Sequence, residues 1–203
     1  KAWEGILRPR CPVCGAGNPK RRKSGGCEAC PPAPIGFQTA RGAYRYGGTA
    51  AEVVKGLKFN GRMMLAPAMG RAMAPLFIEE LVPETGPIDY LIPVPLHYLR
   101  RLHRGFNQSE LIARELSRVT GVPVLNHVLH RIRRTRKQTL LDPRERHENV
   151  LNAFAVSDPN VVAGKRIILI DDVFTTGATI NACSLVLKAA NAEAVNAFTF
   201  ARA

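Results

Sequence analysis

Apolar residues come in short bursts along the chain, and the spacing within each burst predicts an element. Phe37 to Tyr46 has strand character with aromatics at 37, 44 and 46, and Thr49 to Lys58 reads as a helix stopped by Asn60-Gly61. A second helix is expected from Arg62 to about Leu81. Pro83 and Pro87 bracket a loop into Asp89-Tyr-Leu-Ile-Pro-Val-Pro95, too short for a buried helix and suited to a strand of a parallel sheet. Asn107 with Glu110 three residues on has the form of a capping box, and Ile112, Leu116 and Val119 recur at helical spacing up to Gly121. Val122 to Leu129 reads as a strand, Arg131 to Val150 as an arginine-rich loop or hairpin, and Lys165 to Val173 as a strand dense in Ile and Leu. In Thr176 to Ala190 the apolar positions Ile180, Cys183 and Leu187 share a helix face, Asn191 stops it, and Ala194 to Ala201 is a last strand. Alternating strand and helix predicts an α/β domain with a parallel sheet and a ligand crevice beyond the carboxyl ends of its strands.

Length adds a boundary to this picture. The 203 residues suit one ordinary domain with a small appendage. The stiff run Pro31, Pro32, Ala33, Pro34 is a natural linker, so the expected division is 1–34, a connecting or hood segment at 35–86, and a main domain at 87–203. The longest apolar stretch, Met63 to Ile78, is broken by Pro67, Gly70, Arg71 and Pro75, which argues against a membrane span. Nothing at the start has the order of a secretion signal, so the cytoplasm is the expected compartment.

Charge is unevenly placed. Of a formal net +13, residues 1–60 hold 11 Lys and Arg against 3 acids, and residues 97–147 hold 12 against 4. Such zones suit an anionic partner, nucleic acid or polyphosphate, or else form a solubilising face.

Four of the five cysteines form two C-x-x-C pairs, Cys11 with Cys14 and Cys27 with Cys30, separated by twelve residues rich in glycine. Each two-residue gap lets both thiolates of a knuckle point at one ion, and two knuckles make a closed tetrahedral site, so a structural zinc ribbon is expected. Disulfides are the competing possibility, disfavoured in a reducing compartment. Lys20, Arg21, Arg22 and Lys23 between the knuckles could meet a nucleic acid backbone or simply be exposed. Cys183, alone in an apolar pattern, is expected in the core.

The most specific stretch is Arg166-Ile-Ile-Leu-Ile-Asp-Asp-Val-Phe-Thr-Thr-Gly-Ala-Thr179. An apolar strand ends in two aspartates and passes through small residues into a helix. Backbone N–H groups of such a loop can close around a phosphate at the helix's positive end, and the threonine hydroxyls add donors. Asp171 and Asp172 can accept from the vicinal hydroxyls of a ribose or hold water on Mg2+. Together they point to a sugar phosphate, against the plainer possibility of an acidic turn before a helix.

This stretch resembles the signature of the type I phosphoribosyltransferases. The resemblance implies that Asp171 and Asp172 bind the ribose hydroxyls of phosphoribosyl pyrophosphate, and that Thr175, Thr176, Gly177, Ala178 and Thr179 bind its 5-phosphate. It also implies a pyrophosphate loop after Ile92-Pro-Val-Pro-Leu96, where Arg100, Arg101 and Arg104 could stabilise the leaving pyrophosphate with Mg2+. The implied catalytic set is Asp171, Asp172 and Arg104.

The layout is similar to a narrower group, the ComF family: a four-cysteine ribbon, then Arg104-Gly-Phe-Asn-Gln-Ser109, a Gln138 to Asn149 stretch, and the phosphoribosyl loop. Arg144 and Arg146 sit where related transferases carry a mobile hood. Membership implies single-stranded DNA handling in competence and DNA uptake, with a DNA-uptake ATPase as partner. Some purine-salvage relatives carry an aspartate as proton acceptor where this chain has Thr175, so the resemblance leaves catalysis and its acceptor open. His97 and His103 lie near the pyrophosphate loop, while His127 and His130 are expected on opposite faces of a strand, and neither pair is assigned a metal.

Overall fold

In the computed structural model of the chain, residues 3–20, 22, 26–59, 61–96, 98–133 and 152–203 are described. Four strands, β1 (Ala40–Arg45), β2 (Tyr90–Pro93), β5 (Arg166–Phe174) and β6 (Ala194–Arg202), form one parallel sheet in the order β1-β6-β5-β2. β6 is buried along its whole length, which is why it reads as an unbroken run.

Alternation along β5 divides the core between the two faces of the sheet. Ile168 and Ile170 pack toward α1 (Gly48–Phe59), α2 (Leu65–Leu76) and α5 (Gln108–Thr120), with Leu57, Met69, Met73, Ile112 and Leu116. Ile167 and Leu169 face α7 (Ala178–Ala189), through Ile180, Cys183 and Leu187, on the side that also carries the four N-terminal cysteines. Cys183 is fully buried there, as its setting in the sequence suggests.

Two expected elements differ. The helix expected from Arg62 to Leu81 starts at Leu65 and passes into a π-helical turn at Phe77–Leu81, continued by α3 (Val82–Thr85). Pro75 and Pro83 have no N–H for the helix ladder, and Val82 N–H bonds Phe77 O in the wider π pattern between them. The strand expected over Val122–Leu129 is only a parallel bridge of Val124 to Leu91, extended by Leu91 N–H to Pro123 O and Leu125 N–H to Leu91 O. Pro123 and the positive φ of His127 end it, and β3 (Leu129–Arg131) pairs antiparallel with β4 (Phe154–Val156) in a separate sheet. A short α4 (Tyr98–Arg104) and α6 (Pro159–Val162) complete the described elements. The Gln138 to Asn149 stretch, with Arg144 and Arg146, lies outside the described residues.

β1, from the stretch expected to be a connecting segment, pairs in parallel with β6 and forms the edge of the sheet. The ribbon seats against that edge. Buried Arg41 in β1 donates to the carbonyls of Cys11 (3.4 Å) and Pro12 (3.0 Å) and pairs with Glu84. Ala40 N–H bonds Val13 O, and Asn181 of α7 bonds Pro34 O and Gly36 N–H.

β2 and β5 are neighbours whose outgoing chains diverge, one through α4 and α5 toward residues 122–125, the other through α7 to β6. A sheet that switches direction in this way opens a crevice between the two strand ends.

Candidate functional site

The crevice holds the two aspartates. Asp171 Oδ1 accepts from Ser109 Oγ at the start of α5 (2.8 Å) and from Asp172 N–H (2.9 Å). Asp172 is 3% exposed and pairs through Oδ1 with Lys58 Nζ at 2.6 Å. Its other oxygen, Oδ2, is buried with no hydrogen-bond partner among the described residues. A buried acceptor left open beside a cation suits a ligand's hydroxyl.

Electrostatics follow from this crowding. Burial, reinforced by the Asp172 carboxylate, pushes Asp171 up to about 7, against the opposing pull of Lys58 and Ser109. Lys58 is held above the usual lysine range, because the two carboxylates outweigh burial, which acts the other way. Arg104 closes the same side. Its guanidinium stacks over Phe59 at 5.5 Å and donates to Gln108 Oε1 at 3.1 Å, and burial lowers its pKa against the pull of Asp172.

The small-residue loop lies beside the acidic pair. Thr175 is exposed, Thr176 and Thr179 are half-buried, and Gly177 and Ala178 are buried. Gly177 takes φ 75°, and a Cβ there would come within 2.4 Å of Phe174 Cζ. Its carbonyl accepts the first helical bond, from Asn181 N–H, while Ala178 N–H reaches Thr176 Oγ1 at 3.4 Å. The first amides of α7 have no partner within the helix, which makes this an anion-facing end.

The three arginines separate. Arg104 feels the charge of Asp172 from its place over Phe59, whereas exposed Arg101 turns toward Glu110 at 3.8 Å. The backbone of Arg100 lies in α4, its side chain outside the described part, and His97 is also outside it. Asn107 caps α5 by accepting from Ser109 N–H and donates to Val94 O, tying the loop after β2 to the helix. His127 and His130 do not sit on opposite faces of a strand. His127 precedes β3 with φ 62°, and both histidines line a cavity of about 180 Å³ with Pro95, Arg101 and Glu110.

Lys58, Phe59 and Ser109 are site residues that motif reasoning missed. Ser109 belongs to the Arg104–Ser109 segment but looks like an ordinary first-turn serine. Lys58 looks like a favourable charge at a helix end.

Known proteins bear on this geometry. Competence protein F of Haemophilus influenzae is 38% identical over 116 residues, 57% of this chain and 51% of that protein. DNA utilization protein YhgH of Escherichia coli K12 is 32% identical over 195 residues, 95% of this chain and 83% of that one. The chain belongs to the ComF family. Another ComF relative, Competence protein ComFC of Bacillus subtilis, is 28% identical over 197 residues, covering 95% of this chain and 77% of that one. The phosphoribosyl transferase domain family matches residues 103–203, and the fold of this ComF chain is phosphoribosyltransferase-like. A glutamine phosphoribosylpyrophosphate amidotransferase from B. subtilis, solved with ADP and GMP, is 23% identical with a TM-score of 0.44, covering 66% of this chain and 26% of that one. Among the described residues no helix is long and apolar enough to cross a membrane.

The four ribbon cysteines of this ComF chain come together. Their sulfurs lie within 4.8 Å of one another, at 3.7 Å for Cys11–Cys30, 3.5 Å for Cys14–Cys27 and 3.8 Å for Cys27–Cys30. All are buried free thiols, far beyond the roughly 2.05 Å of a disulfide. Four thiolates at about 2.3 Å from a tetrahedral ion stand about 3.8 Å apart, so the set fits structural zinc. Burial, which alone would raise Cys11, is outweighed by the amides of Cys14 and Val13 and by the neighbouring thiols, bringing it to about 7. Burial keeps Cys27 and Cys30 high. We expect one zinc per chain by elemental analysis and its loss in Cys27→Ser. A chain free of metal after purification with zinc would contradict the assignment.

Proposed function

We propose that this ComF-family chain binds phosphoribosyl pyrophosphate, or a related sugar phosphate, at the carboxyl ends of β2 and β5, and supports single-stranded DNA handling during DNA uptake. The observation that carries the ligand reading is the open buried Oδ2 of Asp172 beside Asp171, next to the Gly177 loop at the start of α7. In this reading Asp171 and Asp172 take the ribose hydroxyls, the 175–179 segment takes the 5-phosphate, and Arg104, with Arg100 and Arg101 on the same helix, faces the pyrophosphate. Mg2+ would share the pyrophosphate charge when bound with the ligand. The names of the relatives support the DNA role, and the basic stretch Lys20 to Lys23 suits a phosphate backbone; a cytoplasmic setting and a DNA-uptake ATPase as partner belong to this reading only through the family resemblance.

Arg104, which stacks on Phe59 and feels Asp172, favours a second reading, an active phosphoribosyltransferase. There the C1–O bond to pyrophosphate breaks, a bond from a nucleobase or amine nitrogen to C1 forms while that nitrogen gives up its proton to water, and the guanidinium stabilises the departing pyrophosphate. Release of pyrophosphate with one acceptor and not others would establish it.

Calorimetric titration with phosphoribosyl pyrophosphate and Mg2+, with and without a single-stranded oligonucleotide, tests the proposal. Saturable sugar-phosphate binding is expected, together with oligonucleotide affinity that falls about 50-fold between 50 and 200 mM salt for about four phosphate contacts. Absence of sugar-phosphate binding would refute the first half, and salt-independent DNA affinity the second.

A further inference from the structure

We propose that Arg202 is a positioning residue for the sugar-phosphate loop, and that it ties the loop's geometry to metal occupancy of the four-cysteine centre. The inference rests on reading the 175–179 segment as the phosphate cradle and names a regulation of that site.

Arg202 stands at the end of β6 and is 5% exposed. One edge of its guanidinium addresses the ribbon, with Nε donating to Cys14 O at 3.0 Å and Nη2 to Cys14 Sγ at 3.6 Å. Nη1 addresses the loop, donating to Thr175 O at 3.0 Å and Phe174 O at 3.4 Å. A single rigid fork therefore joins a ligand cysteine to the residue that opens the cradle.

Packing carries the connection further. The Arg202 Cζ lies 4.6 Å from the centre of the Phe174 ring, which meets Phe37 edge-on at 6.1 Å. Phe174 also closes over Gly177, leaving no space for a Cβ. A shift of Arg202 would thus move both the Thr175 carbonyl and the ring that shapes Gly177.

Charge supplies the reason for metal dependence. No Asp or Glu among the described residues pairs with Arg202; its buried cation meets the oxygens of Cys14, Phe174, Thr175 and Ala203, the Phe174 face and Cys14 Sγ. Four thiolates around a dication carry a net charge of about −2, which offsets the guanidinium beside Cys14. Without the ion that compensation is gone, and the anchor of Thr175 and Phe174 slackens. Lysine cannot substitute, since one ammonium lacks the planar fork that reaches both partners. By linkage, a ligand held at the loop must tighten the metal in return.

Hydrogen exchange on the full chain tests this without any ligand. Chelator-stripped wild type should exchange about tenfold faster than zinc-loaded wild type across residues 175–180, with β5 still protected. Zinc-loaded Arg202→Lys should show the same acceleration, and stripping it should add little. For binding, the probe is ribose 5-phosphate. Stripping should weaken its affinity about tenfold in wild type and less than twofold in Arg202→Lys. Loop exchange in wild type that ignores the metal overturns the proposal, as does additivity of stripping and substitution. If zinc-loaded wild type fails to bind ribose 5-phosphate while its loop exchange still follows the metal, the sugar-phosphate reading falls and the coupling stands. Should Arg202→Lys lose protection in β5, the wild-type comparison decides alone.

Discussion

Asp171→Asn is expected to raise the melting temperature at pH 8 by about 5–10 °C and to weaken sugar-phosphate binding about 100-fold. The stability gain follows from the carboxyl's pKa of about 7, raised by burial and by Asp172 above its ordinary value of 3.8. The folded chain holds that proton more tightly than the unfolded chain. Its stabilising contribution is therefore complete below about 3.8 and is lost as the pH rises through about 7. At pH 8 a buried negative charge opposes folding, and a neutral asparagine of the same shape removes that penalty. The asparagine oxygen can still accept from Ser109 and from Asp172 N–H. The advantage over wild type should shrink as the pH falls from 8 to 5, which differential scanning calorimetry across that range will read. Binding moves the other way, because the proposed ribose contact loses a charged acceptor. Unchanged affinity alongside raised stability would remove Asp171 from the ligand site. A pH-independent difference in melting temperature would show that the carboxyl is not held near neutrality.

Gly177→Ala should cost about 2–5 kcal/mol and abolish measurable phosphate binding. Two separate penalties meet at this residue. The φ of 75° is strained for any residue with a Cβ, and the new methyl would overlap the Phe174 ring. The ring has no room to retreat, since Phe37 meets its edge and the Arg202 guanidinium covers its face. Adding Phe174→Leu should recover the steric share and leave the backbone share, so the double-mutant cycle will be non-additive. A Gly177→Ala chain with wild-type unfolding and affinity would contradict the loop geometry. The two substitutions act on opposite sides of one proposed site. Asparagine at 171 weakens recognition while firming the fold, whereas alanine at 177 spoils both.

The strand, acidic pair and small-residue loop at 166–179 were legible from the chain alone because all the constraints are local. A buried central strand must be apolar, a helix start that admits an anion must be small, and only glycine accepts the turn at 177. The cysteine knuckles were legible for the same reason: two-residue gaps bring thiolates together wherever the rest of the chain goes. Elements shaped by proline were less so. Periodicity carries a helix through Leu76 to Leu81, but the missing N–H groups of Pro75 and Pro83 turn the ladder π-helical there.

What surrounds the acidic pair was decided only by tertiary structure. Lys58 and Asp172 are 114 positions apart, and Ser109 and Asp171 are 62 apart, so no spacing rule links them. Arg101 and Arg104 look equivalent in sequence, yet the direction of one short helix sends the first to Glu110 and the second over Phe59 toward Asp172. Arg202 looks like an ordinary basic residue near the chain's end. Its burial between Cys14 and Thr175 exists because parallel pairing of β5 with β6 sets Arg202 opposite Phe174, and because the ribbon seats on that edge of the sheet. Local chemistry thus determined which segments could hold a metal or a phosphate, while long-range pairing decided which charges face them, because sequence patterns record the needs of each element and not its neighbours.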